Sequence, residues 1–167
     1  KRQGLISVDV PESVTSIGGW AFAGCTSLAN LEIPDIVSEI AESTFKNCSS
    51  LSSISFSSNI NSIGRRAFDG CTSLTSLTIP STITNIDFPA FYGCDNLQEI
   101  VLNNSNLNLE RASPDFYSSV TEINIPEDAT VISSYAFAKC YNVSNISIPD
   151  DIVTIEGGAF SNCSGLT

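Results

Sequence analysis

The phenylalanines of this chain fall on a ruler: Phe22, Phe45, Phe68, Phe91, Phe137 and Phe160 stand 23 residues apart, with one interval of 46. The cysteines keep the same spacing at Cys25, Cys48, Cys71, Cys94, Cys140 and Cys163. Aliphatic columns run in phase with them: Leu28, Leu51, Leu74, Leu97, Val120 and Val143; Leu31, Ile54, Leu77, Ile100 and Ile123; Ile17, Ile40, Ile63, Ile86 and Ile132. Pro34, Pro80, Pro126 and Pro149 close the unit. A fixed period held in this many columns, with no insertion, specifies a repeat architecture. One coil of this length cannot bury its own apolar side, whereas stacked coils share a continuous core. Coils joined by strand pairing rise about 4.8 Å each. The reading is a single solenoid over residues 1–167, with about seven coils.

Within a coil, Leu31-Glu32-Ile33 alternates as a half-buried strand does, with Leu31 and Ile33 inward and Asn30 and Glu32 outward. Pro34 is tolerated at the strand end, where its missing N–H is spared. Stacked copies predict a parallel sheet along one side, and Leu5 to Val10 is expected to be its first strand. The Val14 to Ile17 column predicts a second, shorter sheet. Gly18-Gly19 turns the chain, and Ala21-Phe22 opens a compact segment of 3₁₀ or single-turn type. Small alanines at 21, 67, 90, 136 and 159 suit close approach to a neighbouring coil. Gly24, Gly70 and Gly93, with Asn47 and Asn162, mark a position that needs positive φ. No long helix is predicted. The coil over 103–117 departs from the pattern: Pro114 stands where Phe belongs, Phe116 on the Gly/Asn position and Tyr117 where Cys belongs. It reads as drift repaired locally, with Phe116 turned inward, or as a bend that contacts a ligand.

Lys and Arg number 7 against 18 Asp and Glu, a formal charge of −11. Nucleic-acid phosphates need basic groups, so that partner class is excluded; anionic membrane surfaces are disfavoured for the same reason. No apolar run is long enough to insert in a membrane. The chain opens without Met or a signal peptide, and Leu5, Val8 and Val10 already sit on core columns, while Leu166 begins another coil; both ends are expected to fall within the array. Cysteines in equal phase suit a ladder of small buried hydrophobes better than disulfides, and their spacing is unlike a zinc knuckle. Histidine is absent, which removes the usual general base and the Ser–His and Cys–His nucleophiles. No phosphate loop or dinucleotide fingerprint is present, and no carboxylate pair stands out for glycoside chemistry. Neither catalytic residue, metal nor cofactor is expected.

The outward strand positions form the most regular exposed surface: Asn30 and Glu32, Ser53 and Ser55, Ser76 and Thr78, Glu99 and Val101, Glu122 and Asn124. Asp9 with Glu32, and Glu99 with Glu122, stand one coil apart, placed to repel or to share a cation. The face is either simply solvated, or a contact for protein or glycan, or a weak calcium site. Trp20, in a variable column, joins Tyr92, Tyr135 and Tyr141 as aromatic interface candidates.

The best copies, Thr15-Ser16-Ile17-Gly18-Gly19-Trp20-Ala21-Phe22 with Cys25-Thr26-Ser27-Leu28, and Asn61-Ser62-Ile63-Gly64-Arg65-Arg66-Ala67-Phe68 with Cys71-Thr72-Ser73-Leu74, resemble the leucine-rich repeat subtype of bacterial BspA surface antigens and treponemal repeat proteins. The resemblance implies a curved solenoid with its parallel sheet on the concave side. It also implies a non-enzymatic adhesion or protein-binding module, displayed at the cell surface or secreted, whose partner is a host, matrix or neighbouring-cell protein. The alternatives are a cytoplasmic structural or assembly scaffold and, more distantly, a carboxylate-based enzyme. The candidate contact residues are those that vary around the repeat: Asn30, Glu32, Glu99, Glu122 and Asn124 on the outward strand positions, Trp20 in its variable column, and Phe116 and Tyr117 in the irregular coil.

Strict phase has a direct consequence. Deleting the single residue Ser58 moves every later apolar group off its column and should abolish cooperative thermal unfolding followed by circular dichroism. Ser58→Ala should change stability by less than about 0.5 kcal/mol.

Overall fold

The computed structural model describes residues 4–87, 89–102 and 119–167. Its strands are β1 (Asn30–Glu32), β2 (Glu39–Ile40), β3 (Ser53–Ser55), β4 (Ser62–Ile63), β5 (Ser76–Ile79), β6 (Asn85–Ile86), β7 (Glu99–Leu102), β8 (Glu122–Asn124), β9 (Val131–Ile132) and β10 (Thr154–Ile155), and no helix occurs among the described residues. The fold is a parallel-sheet solenoid. β1 pairs with β3, and β5 with β7 and then β8; the second series pairs β2 with β4 and β6, and β9 with β10. Each pairing is parallel and each partner lies one repeat away: Asn30 opposite Ser53, Ser76 opposite Glu99, Glu99 opposite Glu122, and Ile40 opposite Ile63.

The compact Ala-Phe segment forms a third ladder between coils. The Phe22 N–H donates to the Thr44 carbonyl at 2.9 Å, and Phe45, Phe68 and Phe137 donate to Ala67, Ala90 and Ala159, each at 2.8 Å. Two residues on, Gly24 donates to Lys46, Asn47 to Asp69 and Gly70 to Tyr92 at 2.6–2.8 Å. The alternate N–H groups turn back on their own coil, as from Cys25, Cys48 and Cys71 to the Phe carbonyl three residues earlier, at 3.0 Å each. Small residues are needed here because the partner is backbone. A Cβ on Gly64 would stand 2.9 Å from the Glu42 nitrogen. The expected positive φ is found at Gly24, Asn47, Gly70, Gly93 and Asn162, and Lys139 joins them.

Phe and Cys fill the interior as paired stacks. Phe22, Phe45, Phe68 and Phe91 lie ring over ring with centroids 5.2–5.6 Å apart, as do Phe137 and Phe160 at 5.6 Å. The six cysteines are free, and all but Cys163 are fully buried. Their side chains bond to the preceding coil: Cys48 Sγ donates to the Phe22 carbonyl at 3.1 Å, Cys71 to Phe45 at 3.2 Å, Cys94 to Phe68 at 3.1 Å and Cys163 to Phe137 at 3.0 Å. A thiol thus combines apolar bulk with one donor where a carbonyl has a lone pair to spare. Proline does more than end a strand. The carbonyls of Pro34, Pro80 and Pro126 accept the N–H three residues on, at 3.0–3.1 Å, closing the turn toward the second sheet. Ser57 stands in for proline in the second coil, buried, its Oγ donating to the Val37 carbonyl at 3.2 Å.

Two expectations require correction. Leu5 to Val10 forms no strand, and the corresponding stretch at Asn145 to Ser147 forms none either. The backbone link from the first coil to the next is a bond from the Ala29 N–H to the Ile6 carbonyl, at 3.1 Å. Leu5 and Ile6 stay exposed, while Val8 and Val10 pack partly against the core. By contrast β7, a four-residue strand, is paired on both sides, with β5 and with β8. Phe116 and Tyr117, with the rest of the irregular coil, lie outside the described residues.

Burial pushes the Cys48 thiol up to about 11 and the Cys94 thiol up to about 12, from an ordinary 9.0, and raises Cys71 and Cys140 as well. The folded state therefore keeps protons that the unfolded chain releases. Stability from these thiols is fully present below pH about 9 and lost as pH rises toward about 11. Urea midpoints should be level below that window and fall within it, and Cys48→Ala with Cys94→Ala should flatten the fall.

Candidate interaction surface

Alternation along each strand sorts the side chains into two sets. Leu31, Leu77, Ile79, Ile100 and Ile123 are buried. Asn30 and Glu32 on β1, Ser53 and Ser55 on β3, Ser76 and Thr78 on β5, and Glu122 and Asn124 on β8 are exposed, while Glu99 and Val101 on β7 are half-buried. The result is a polar face with hydroxyls in the middle and acids toward both ends. Glu99 and Glu122 are direct neighbours across the β7–β8 pair. Asn30 and Glu32 sit three coils away from Glu99, roughly 14 Å at the usual strand spacing. The sheet therefore brings the candidates together as two groups rather than one.

At the first end, Asp9, Glu12, Ser7, Asn30 and Glu32 line a shallow open cavity of about 250 Å³. Asp9 and Glu32 do share it, as their spacing implied. Among the described residues, however, no group of three or more side chains is placed to hold a metal ion. The chemistry this face offers is hydrogen bonding and negative charge.

Trp20 is not part of the sheet face. It lies in the turn edge that carries the third ladder, 56% exposed, with Lys46 Nζ 5.8 Å from its ring centroid. Lys46 pairs with Asp69 at 2.9 Å, Arg66 Nε approaches the same carboxylate at 3.9 Å, and Arg65 faces Glu42 at 3.9 Å. Tyr92 and Tyr135 are also exposed, at 55% and 59%.

Sequence reasoning missed what several polar residues do. Ser49 Oγ donates to the Thr26 carbonyl and Thr72 Oγ1 to Ser49, at 3.4 and 3.3 Å, and Asn96 Nδ2 reaches the Thr72 carbonyl at 2.7 Å. Ser52 and Thr121 do the same one position group later, toward Ala29 and Gln98. These residues stitch coils together and are removed from the list of free contact groups. Their recurrence at the repeat spacing was the available signal.

Like charges directly opposite in a sheet are destabilising. Glu99→Gln should raise stability by about 0.2–1 kcal/mol in dilute buffer, since it removes that opposition. The gain should shrink in concentrated salt, where the pair is already screened; equal melting shifts at both ionic strengths would refute it.

The chain matches the family described as the BspA type leucine rich repeat region, in six copies over residues 1–113 and 112–167. Comparison with curated proteins finds no match. Among solved structures it is similar to a leucine rich repeat protein of T. pallidum, TpLRR, with a TM-score of 0.74 and 23% identity over 97% of this chain and 78% of that one. It is also similar to a leucine-rich repeat protein of Bacteroides ovatus, with a TM-score of 0.58 and 25% identity over 96% and 53%. The pneumococcal vaccine antigen PcpA shares the fold at a TM-score of 0.57 and 18% identity, over 92% of this chain and 37% of that one. With matched repeats running from the first residue to the last and the coil geometry shared, this chain belongs to the BspA-type leucine-rich repeat family.

Proposed function

We propose that residues 1–167 act as one non-enzymatic binding module that holds a protein partner against the outer face of the main sheet. The observation that carries this is the sheet itself. Its inward residues are spent on the core, while Asn30, Glu32, Glu122 and Asn124 stay exposed in fixed register on a rigid backbone. Leucine-rich repeat proteins in general bind protein partners, which makes this chain's regular face the first place to look. The acidic ends favour a partner with a basic surface, because charge complementarity steers encounter and sets register. Display at a cell surface, and adhesion as the biological outcome, are our extension from the likeness to a vaccine antigen.

The test uses a panel of immobilised matrix and cell-surface proteins and the whole chain in solution. At least one partner should bind with an affinity that falls as salt rises. The Glu99→Gln/Glu122→Gln double variant should bind it about tenfold more weakly, a loss of about 1.4 kcal/mol. Unchanged affinity in that variant, with its circular dichroism spectrum unaltered, would remove the sheet face from the proposal.

A further inference from the structure

The array contains two columns of left-handed backbone, and they are filled in opposite ways. The column at Gly24, Asn47, Gly70, Gly93, Lys139 and Asn162 uses Gly or Asn at all but one position, as the geometry favours. The column one turn earlier also has positive φ except at Pro89, yet it holds Trp20 (64°), Ser43 (57°), Arg66 (56°), Tyr135 (56°) and Gly158 (71°). A bulky side chain there costs roughly 1–2 kcal/mol against glycine. Core packing does not repay it, since Trp20 and Tyr135 are more than half exposed. Strained backbone that carries exposed Trp, Arg and Tyr points to a contact role.

The side chains of this column lie across the following coil. A Cβ on Gly158 would stand 2.5 Å from Tyr135 Cε1, and Lys46, one coil after Trp20, stands over the Trp20 ring. Ser43, between Trp20 and Arg66, is fully buried, and its Oγ has no hydrogen-bond partner. Side chains of successive coils therefore meet along this edge, the Lys46 ammonium at the Trp20 ring and Tyr135 over Gly158. Its charge also differs from the rest. Of the four Lys and Arg among the described residues, Lys46, Arg65 and Arg66 gather here, in a chain of net charge −11. Lys46 is taken up by Asp69 at 2.9 Å. Arg66 is held more loosely: its Nε, itself buried, lies 3.9 Å from the same carboxylate without a hydrogen bond, while the side chain stays 42% exposed. An exposed, loosely paired guanidinium two coils from an exposed indole, roughly 10 Å at the usual strand spacing, suits a carboxylate that carries apolar neighbours.

We infer that this edge, at Trp20, Lys46 and Arg66, is a second contact surface, and that its occupant is an acidic, partly apolar segment of a partner protein. The partner's carboxylate takes the Arg66 fork, and the residues flanking it pack on Trp20. The inference rests on the reading of the chain as a protein-binding module, but on a face separate from the acidic sheet, which would repel the same segment.

The chain's single tryptophan makes the test direct, because Trp20 emission reports this edge and nothing else. A random peptide library is selected on the whole chain. The enriched peptides should pair Asp or Glu with Leu, Phe or Tyr, should change Trp20 emission, and should bind Arg66→Ala at least tenfold more weakly. Arg66→Lys, which keeps charge and packing but loses the fork, should recover only part of the affinity. No enrichment, enrichment of peptides without carboxylates, unchanged emission, or equal binding to both Arg66 variants would overturn the inference. Peptides lost on Glu99→Gln/Glu122→Gln but not on Arg66→Ala would overturn it while leaving the sheet-face proposal standing.

Discussion

The hydrogen bond from one coil to the next is the constraint on which the rest depends. It occurs in both sheets and in the Ala-Phe turn, and in the strands each partner is one repeat length away. A buried peptide group without a partner is costly. A coil with one residue too many or too few would orphan groups in three ladders together. That requirement explains the constant spacing better than the core does, because apolar packing tolerates small changes of shape. It also explains the small residues at Ala67, Ala90 and Gly64, which lie where another coil's backbone approaches.

Much of this was legible in the sequence. The columns identified the strands, the inward and outward sets, the buried cysteines and the family, because all of these follow from periodicity. The Gly/Asn column announced its left-handed backbone by residue type. The second left-handed column did not, since Trp20, Arg66 and Tyr135 are poor advertisements for positive φ; only the coordinates reveal it. The structural duty of Ser49, Ser52 and Thr72 was hidden for another reason: a hydroxyl that bonds a neighbouring carbonyl looks the same in sequence as one that faces water. The expected strand at Leu5 failed because strand propensity is realised through partners, and the alternation of apolar residues counts none.

The candidate surfaces differ in how they arise. The sheet face is what remains once the core has claimed every second residue, so its charge pattern is free to vary. The turn edge has less freedom, because Trp20, Arg66 and Tyr135 sit on strained backbone and Tyr135 lies over Gly158 of the following coil. A solenoid of this kind can carry two recognition surfaces with separate histories: one that changes residue by residue, and one that changes only where a strained position is tolerated.

The sulfur-to-carbonyl contacts give the array a particular way of ageing. A thiol that gains oxygen no longer fits its slot or donates its proton, and the Phe carbonyl of the preceding coil keeps only its within-turn bond. The coil that held that sulfur then covers its neighbour less well, and the neighbour's thiol, protected by burial alone, comes within reach of the same oxidant. Damage in this molecule would not stay where it began; it would travel along the column, one rung opening the way to the next.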